Sequence, residues 1–207
     1  ATNIGCCKIS TQNENNILTR INKDKKISHY MKTYGFPIYY HNAPVYWGKV
    51  FNFIPMFKIG NNSPIQSSHL KTIYFESKEC ANLAICILNS SLFYWFNWQY
   101  SNCRDLSVHN IEDFKFSLTL VNDTYNKEIA FLCKALMEDY KRNSIVYKRI
   151  SKNILTQFDS FYPAKSKPII DEIDKVLARH YGFTEEELDF IINYDIKYRM
   201  GDELNEE

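Results

Sequence analysis

The sequence predicts an α+β fold: a small mixed or antiparallel sheet packed on a buried helix, followed by a helical C-terminal part. Three observations predict it. Gly35 to Phe57 is rich in Tyr, Phe, Val and Ile and is punctuated by Pro37, Pro44 and Pro55, the pattern of short strands separated by turns. Lys78 to Tyr100 carries apolar side chains around nearly its whole circumference, as a helix buried on several faces does. From Thr124 onward the apolar period is helical.

Each element follows from local chemistry. Residues 1–35 are expected to be a solvated linker or N-terminal extension, with at most a brief ordered element at Ile17-Leu18-Thr19-Arg20-Ile21 before the Lys23-Asp24-Lys25-Lys26 cluster. Residues 36–122 form the expected α+β core. It holds two strands joined near Asn42-Ala43-Pro44, a polar loop opened by the turn residues Gly60-Asn61-Asn62-Ser63-Pro64, and a strand from Leu70 to Phe75. The buried helix comes next, then a short helix capped by Ser107 with Asn110, and an extended Lys115-Phe116-Ser117-Leu118. Residues 123–207 form the helical part. A long helix with Ile129, Leu132, Cys133, Leu136, Tyr140, Ile145 and Tyr147 inward is expected to continue toward Leu155. A second helix runs from about Lys167, with Pro168 in its first turn, to His180 and stops at Gly182; a third starts at the Thr184/Glu187 capping box.

At 207 residues, 45% hydrophobic and 15% aromatic, the chain can bury one sizeable core. The formal charge of +1 conceals an asymmetry: residues 1–120 hold 12 Lys and Arg against 7 Asp and Glu, and residues 121–207 hold 13 against 17. A polyanion would therefore meet the first part. The six cysteines form no C-x-x-C pair and read as reduced thiols, which together with the lack of a secretory signal at the N-terminus points to the cytoplasm. The uncharged stretch between Glu79 and Arg104 is long enough to span a bilayer, but its Asn, Ser and Gln residues would each need a partner in hydrocarbon, so no membrane partner is expected.

Three separated blocks carry a family resemblance. The end of the chain, Ser166-Lys167-Pro168-Ile169-Ile170-Asp171-Glu172-Ile173-Asp174 running into His180-Tyr181-Gly182-Phe183-Thr184-Glu185-Glu186-Glu187-Leu188-Asp189, resembles the closing segment of bacterial type II restriction-modification adenine-specific DNA methyltransferases. Ile38-Tyr39-Tyr40-His41-Asn42-Ala43-Pro44-Val45-Tyr46-Trp47-Gly48-Lys49 and Leu88-Asn89-Ser90-Ser91-Leu92-Phe93-Tyr94-Trp95-Phe96, with Asn102-Cys103-Arg104-Asp105-Leu106, resemble the target recognition core of the TaqI-like specificity family. The resemblance covers most of the chain from about residue 36. It implies a non-catalytic module that binds double-stranded DNA and works beside the methyltransferase catalytic domain of the same parent protein, where S-adenosylmethionine would bind.

The residues agree with a non-catalytic reading. Glycines at 5, 35, 48, 60, 182 and 201 are too scattered for a cradle around a methyl donor, and no Pro-Pro pair offers the base-holding N-P-P-aromatic motif, so no cofactor is expected in this chain. Glu76-Ser77-Lys78 superficially resembles half of a nuclease metal site. No Asp or Glu lies between Asp24 and Glu76 to complete it, so it reads as a strand end meeting a helix N-terminus, and no metal is expected. Cys103 and His109 lack an orienting third group and an oxyanion hole.

Reading DNA requires donors, acceptors and planar groups on loops, with Lys and Arg on the phosphates. Three loops offer these. In the first, Asn42 can bond a base edge, Tyr46 can stack or pack inward, Lys49 can reach phosphate, and Trp47 reads as core. The second presents Gln66, Ser68, His69 and Lys71, and the third Asn102, Arg104 and His109. Arg104 can serve DNA or pair with Asp105. Lys141, Arg142, Lys148, Arg149 and Lys152 are expected as a basic stripe on the long helix, either for solubility or for DNA backbone contact. The alternative function is a protein-interaction or scaffolding module of the same system, without direct DNA contact.

Overall fold

The computed structural model describes residues 11–44, 47–101, 105–116 and 123–195. Its centre is the segment that reads as one buried helix, which folds as two: α2 (Lys78–Asn89) and α3 (Ser91–Tyr100). The break falls at Ser90, whose backbone is extended and whose hydroxyl accepts from Phe93 N at 3.0 Å, capping α3. A second cap comes from far along the chain. The buried carboxylate of Asp174 accepts from Ser91 N (3.1 Å) and Leu92 N (3.2 Å), meeting the free amides and the positive end of α3.

Against this pair lies a four-stranded antiparallel sheet in the order β2-β6-β3-β4, where β2 is Met31–Lys32, β3 Phe36–His41, β4 Val50–Phe51 and β6 Leu70–Phe75. Register pairs Phe36 with Phe75 and His41 with Leu70, so the end of β3 and the start of β6 share one edge of the domain. Gly35, with φ +136°, fits beside Phe75 only because it lacks a Cβ, which would collide with the Phe75 carbonyl. The strands expected between Gly35 and Phe75 are thus present.

The N-terminal expectation needs correction. Gln12–Ile21 is a helix, α1, opened by a Thr11/Glu14 capping box, and Ile17, Leu18, Ile21 and then Ile27 are buried in the main core. Glu14 is also buried; its Oε1 accepts from Gln99 Nε2 (3.2 Å) and Trp95 Nε1 (3.4 Å) of α3. The polar composition masked an amphipathic face, and the linker reading does not hold for residues 12–32. Lys25–Lys26 (β1) even pairs with Lys115–Phe116 (β7), the strand expected after α4 (Val108–Asp113), which Ser107 and Asn110 cap as expected.

The C-terminal part is helical with one exception. α5 (Asp123–Asn143) buries Ile129, Leu132, Cys133, Leu136 and Tyr140, α6 (Lys167–Tyr181) buries Ile173, Val176 and Leu177 and ends at the left-handed Gly182, and α7 (Glu185–Asn193) starts at its capping box. The long helix does not continue toward Leu155. Ile145–Ser151 (β8) and Ile154–Ser160 (β9) form a hairpin whose two-residue turn, Lys152-Asn153, has φ +47° and +62°. Ile-Val-Tyr favours strand, and paired positive φ values match the twist of a hairpin, so local strand chemistry prevails over an apparent helical period. Ile145 and Tyr147 are accordingly exposed, not core. β9 also pairs with Phe57–Ile59 (β5), completing a three-stranded sheet. No described helix is long and apolar enough to cross a membrane.

Candidate nucleic-acid interface

The first loop leaves β3 at His41 and is bound at both ends. His41 N donates to Lys49 O at 3.3 Å, closing the loop on itself, while Asn42 N donates to His69 O at 3.0 Å, tying it to the second loop. Asn42 O accepts from Leu106 N at 2.9 Å, tying it to the third. Asn42 is therefore the junction of all three loops. The floor beneath is a polar cluster in the core: Asn89 bonds Val50 N and O through its side chain and accepts from Tyr140 OH (3.0 Å), while its backbone carbonyl accepts from Trp47 Nε1 (3.2 Å). Trp47 is buried as expected and stacks on Tyr94 at 4.4 Å between ring centroids.

The other expected residues separate into presented and retained groups. His69 is exposed, its ring nearly parallel to that of His41 with centroids 6.4 Å apart. Ser68 is exposed but its carbonyl accepts from Lys71 Nζ (2.9 Å), so Lys71 braces the loop it follows. Gln66 folds back to donate to Leu70 O (3.0 Å) and Thr72 Oγ1 (3.4 Å). Asn42 Oδ1 is buried without a hydrogen-bond partner, which leaves its amide unable to present both atoms to a base edge without a local opening. His109 sits on α4, exposed, 2.9 Å from Glu112. Tyr46, Asn102 and Arg104 lie outside the described residues, as does Cys103.

A cavity of about 320 Å³ opens beside the junction. Its polar and basic lining comes from His41, Lys49, Ser67 and His69, set among Pro44, Phe51 and Leu70; the three-stranded sheet and its approach add a largely apolar lining with Met56, Phe57, Phe158 and Phe161. Phe57 and Phe158 are directly paired across β5 and β9 and Phe158 with Tyr147 across β8, so these rings share one face of that sheet. Burial pushes the Lys49 ammonium below the usual lysine range. Burial first, and then the charges of Lys49 and His69, hold His41 below the ordinary histidine range. Asp159, the carboxylate lining this cavity, is engaged by Met56 N at 2.8 Å.

No protein-family model, curated protein or solved structure matches this chain.

One further expectation is corrected here. The basic stripe is not on one helix: Lys141 and Arg142 close α5, with Lys141 over the Phe53 ring at 4.4 Å, whereas Lys148 and Arg149 stand on β8 and Lys152 in its turn. Among the described residues no group of three His, Cys, Asp or Glu side chains is placed to hold a metal ion. His41 opens the first loop but was not expected among the DNA-contacting residues. A histidine alternating with Tyr40 on a strand carries no local mark of a site; its place beside Lys49 and His69 arises from strand register and loop closure.

Proposed function

We propose that this chain is a non-catalytic DNA target recognition module, docking on duplex DNA with the end of the four-stranded sheet and reading sequence from its three loops. The observation that carries this reading is the junction at Asn42, where hydrogen bonds to His69 and Leu106 gather three polar loops, the first two of which give one cavity its basic lining. The resemblance to the TaqI-like specificity family and the positive balance of residues 1–120 point the same way. Catalysis and S-adenosylmethionine belong, in this proposal, to a methyltransferase domain of a bacterial, cytoplasmic parent protein. The test is duplex binding against salt: affinity for random duplex should be weak and fall steeply between about 50 and about 200 mM salt. Affinity that stays constant over that range removes the electrostatic docking step.

One observation favours the second reading, a protein-interaction module. On the hairpin, Ile145, Val146, Tyr147, Ile150 and Ile154 are each at least half exposed, and β8 is an edge strand of its sheet. Exposed apolar residues on a sheet edge suit a protein partner better than a phosphate backbone. Binding of a methyltransferase catalytic domain that is abolished by Ile150→Lys, with duplex binding retained, would support that role for the hairpin.

A further inference from the structure

We propose that His41, Lys49 and His69 form a seat for a phosphoryl group, and that its occupant is a DNA backbone phosphate. The identity of the occupant rests on the DNA reading above; the anion chemistry of the seat does not. The geometry is built by main-chain bonds. His41 N to Lys49 O and Asn42 N to His69 O hold the three basic residues together in the lining of the cavity, and the two imidazoles face each other at 6.4 Å.

Among the described residues, nothing supplies these three with a counter-ion. Nothing described bonds or ion-pairs with the Lys49 ammonium, and burial alone lowers its proton affinity. Among the described residues the one carboxylate lining the cavity, Asp159, accepts from Met56 N and makes no ion pair with the three. Lys71, the nearest charge on β6, pairs with Tyr40 across the strands, lines a separate surface with Asn42, and donates to Ser68 O. A partly desolvated cation beside two imidazoles and an apolar wall attracts an anion more strongly than an exposed one, because the local dielectric is lower. Ser67 adds a hydroxyl. A phosphate or sulfate oxygen would accept one hydrogen bond from the Lys49 ammonium and, once the ring is protonated, another from the His41 imidazolium.

The sign of the pH dependence follows. His41 is neutral at neutral pH because its pKa lies below the ordinary 6.5. An anion favours its charged form, so binding takes up a proton and tightens as pH falls through that range.

The test uses the whole chain with sulfate, whose charge is constant over the range, and separately with a duplex oligonucleotide. Histidine ring resonances are followed by NMR during the sulfate titration. Saturable shifts of His41 and His69, with His109 as the exposed control, are expected. Lys49→Met should weaken sulfate by about tenfold or more and Lys49→Arg should keep it. At constant ionic strength, duplex should bind about three to ten times tighter near pH 5.5 than near pH 7.5, and His41→Asn should remove that ratio. Uniform, unsaturable shifts of all histidines overturn the seat, even if duplex binds and the DNA reading survives. Saturable sulfate without any duplex binding upholds the seat and removes the DNA occupant with the reading behind it. Duplex binding that His41→Asn and Lys49→Met both leave unchanged, sulfate notwithstanding, overturns the proposal that DNA uses the seat.

Discussion

The side chain of Asn89 donates to Val50 O at 2.9 Å and accepts from Val50 N at 3.2 Å, so a single amide on α2 pairs with β4 as a neighbouring strand would. Its remaining bonds, to Ile85 O (2.8 Å) and from Tyr140 OH (3.0 Å), leave no polar atom of the side chain unused in a fully buried setting. This joins helix, strand and α5 directly beneath the first loop.

Asn89→Ala should therefore destabilise the fold by about 2–4 kcal/mol, since it strands two main-chain groups of Val50 and one phenol away from water. Asn89→Leu should be no better, although it fills the volume. Chemical denaturation, with the urea slope checked for constancy, gives the measurement.

Asp174 makes an unusual contribution to pH dependence. Burial raises its carboxyl from 3.8 to about 6, against the opposing effect of its bonds to Ser91 and Leu92. The folded state thus keeps this proton where the unfolded chain has released it. The contribution is full below about pH 4 and is lost as pH rises to about 6, by an amount on the order of 2–3 kcal/mol. Stability of the wild type relative to Asp174→Asn, measured by denaturation at pH steps across that window, should fall as pH rises and level off above it. A difference that grows with pH would contradict the assignment.

Glu14 anchors α1 to α3 through Trp95 and Gln99. Glu14→Ala should cost about 1–3 kcal/mol and also remove the capping partner of Thr11, lowering Tm in a thermal scan. A merely appended linker would tolerate the change without any shift.

Asn153 occupies the left-handed region at φ +62° in the hairpin turn. Asn153→Gly should stabilise or leave stability unchanged within about 1 kcal/mol, and Asn153→Ala should destabilise by a similar amount. Hydrogen exchange of β8 and β9 amides reads the local effect.

For recognition, Lys49→Ala in a full-length protein should weaken binding to all duplexes alike, while Gln66→Ala should change stability slightly and recognition little, because its amide is spent on Leu70 and Thr72. Asn42→Ala should alter the preferred base at one position if the loop opens on binding. Selection from a random duplex pool separates these outcomes.

Much of the fold was legible where local chemistry decides it. The Thr184/Glu187 and Ser107/Asn110 caps, the stop at Gly182, the strand at Leu70–Phe75 and the burial of the Ala81-to-Trp95 face all follow from side chains acting within one turn or one strand. Misreadings arose where a distant partner intervenes. Gln12–Ile21 is polar by count, yet α3 supplies partners for its buried glutamate; the break at Ser90 owes one cap to itself and another to Asp174, 83 and 82 residues from the amides it meets. At the candidate interface the sequence by itself determined the cast, Asn42, Lys49 and His69 among polar loops on an aromatic scaffold. The tertiary structure decided the grouping: register set His41 opposite Leu70, main-chain bonds drew Lys49 and His69 to it, and β9 brought the aromatic wall of Phe158 from more than a hundred residues along the chain. Such long-range juxtaposition depends on which surfaces bury together, and a burial preference in one segment does not name its partner in another.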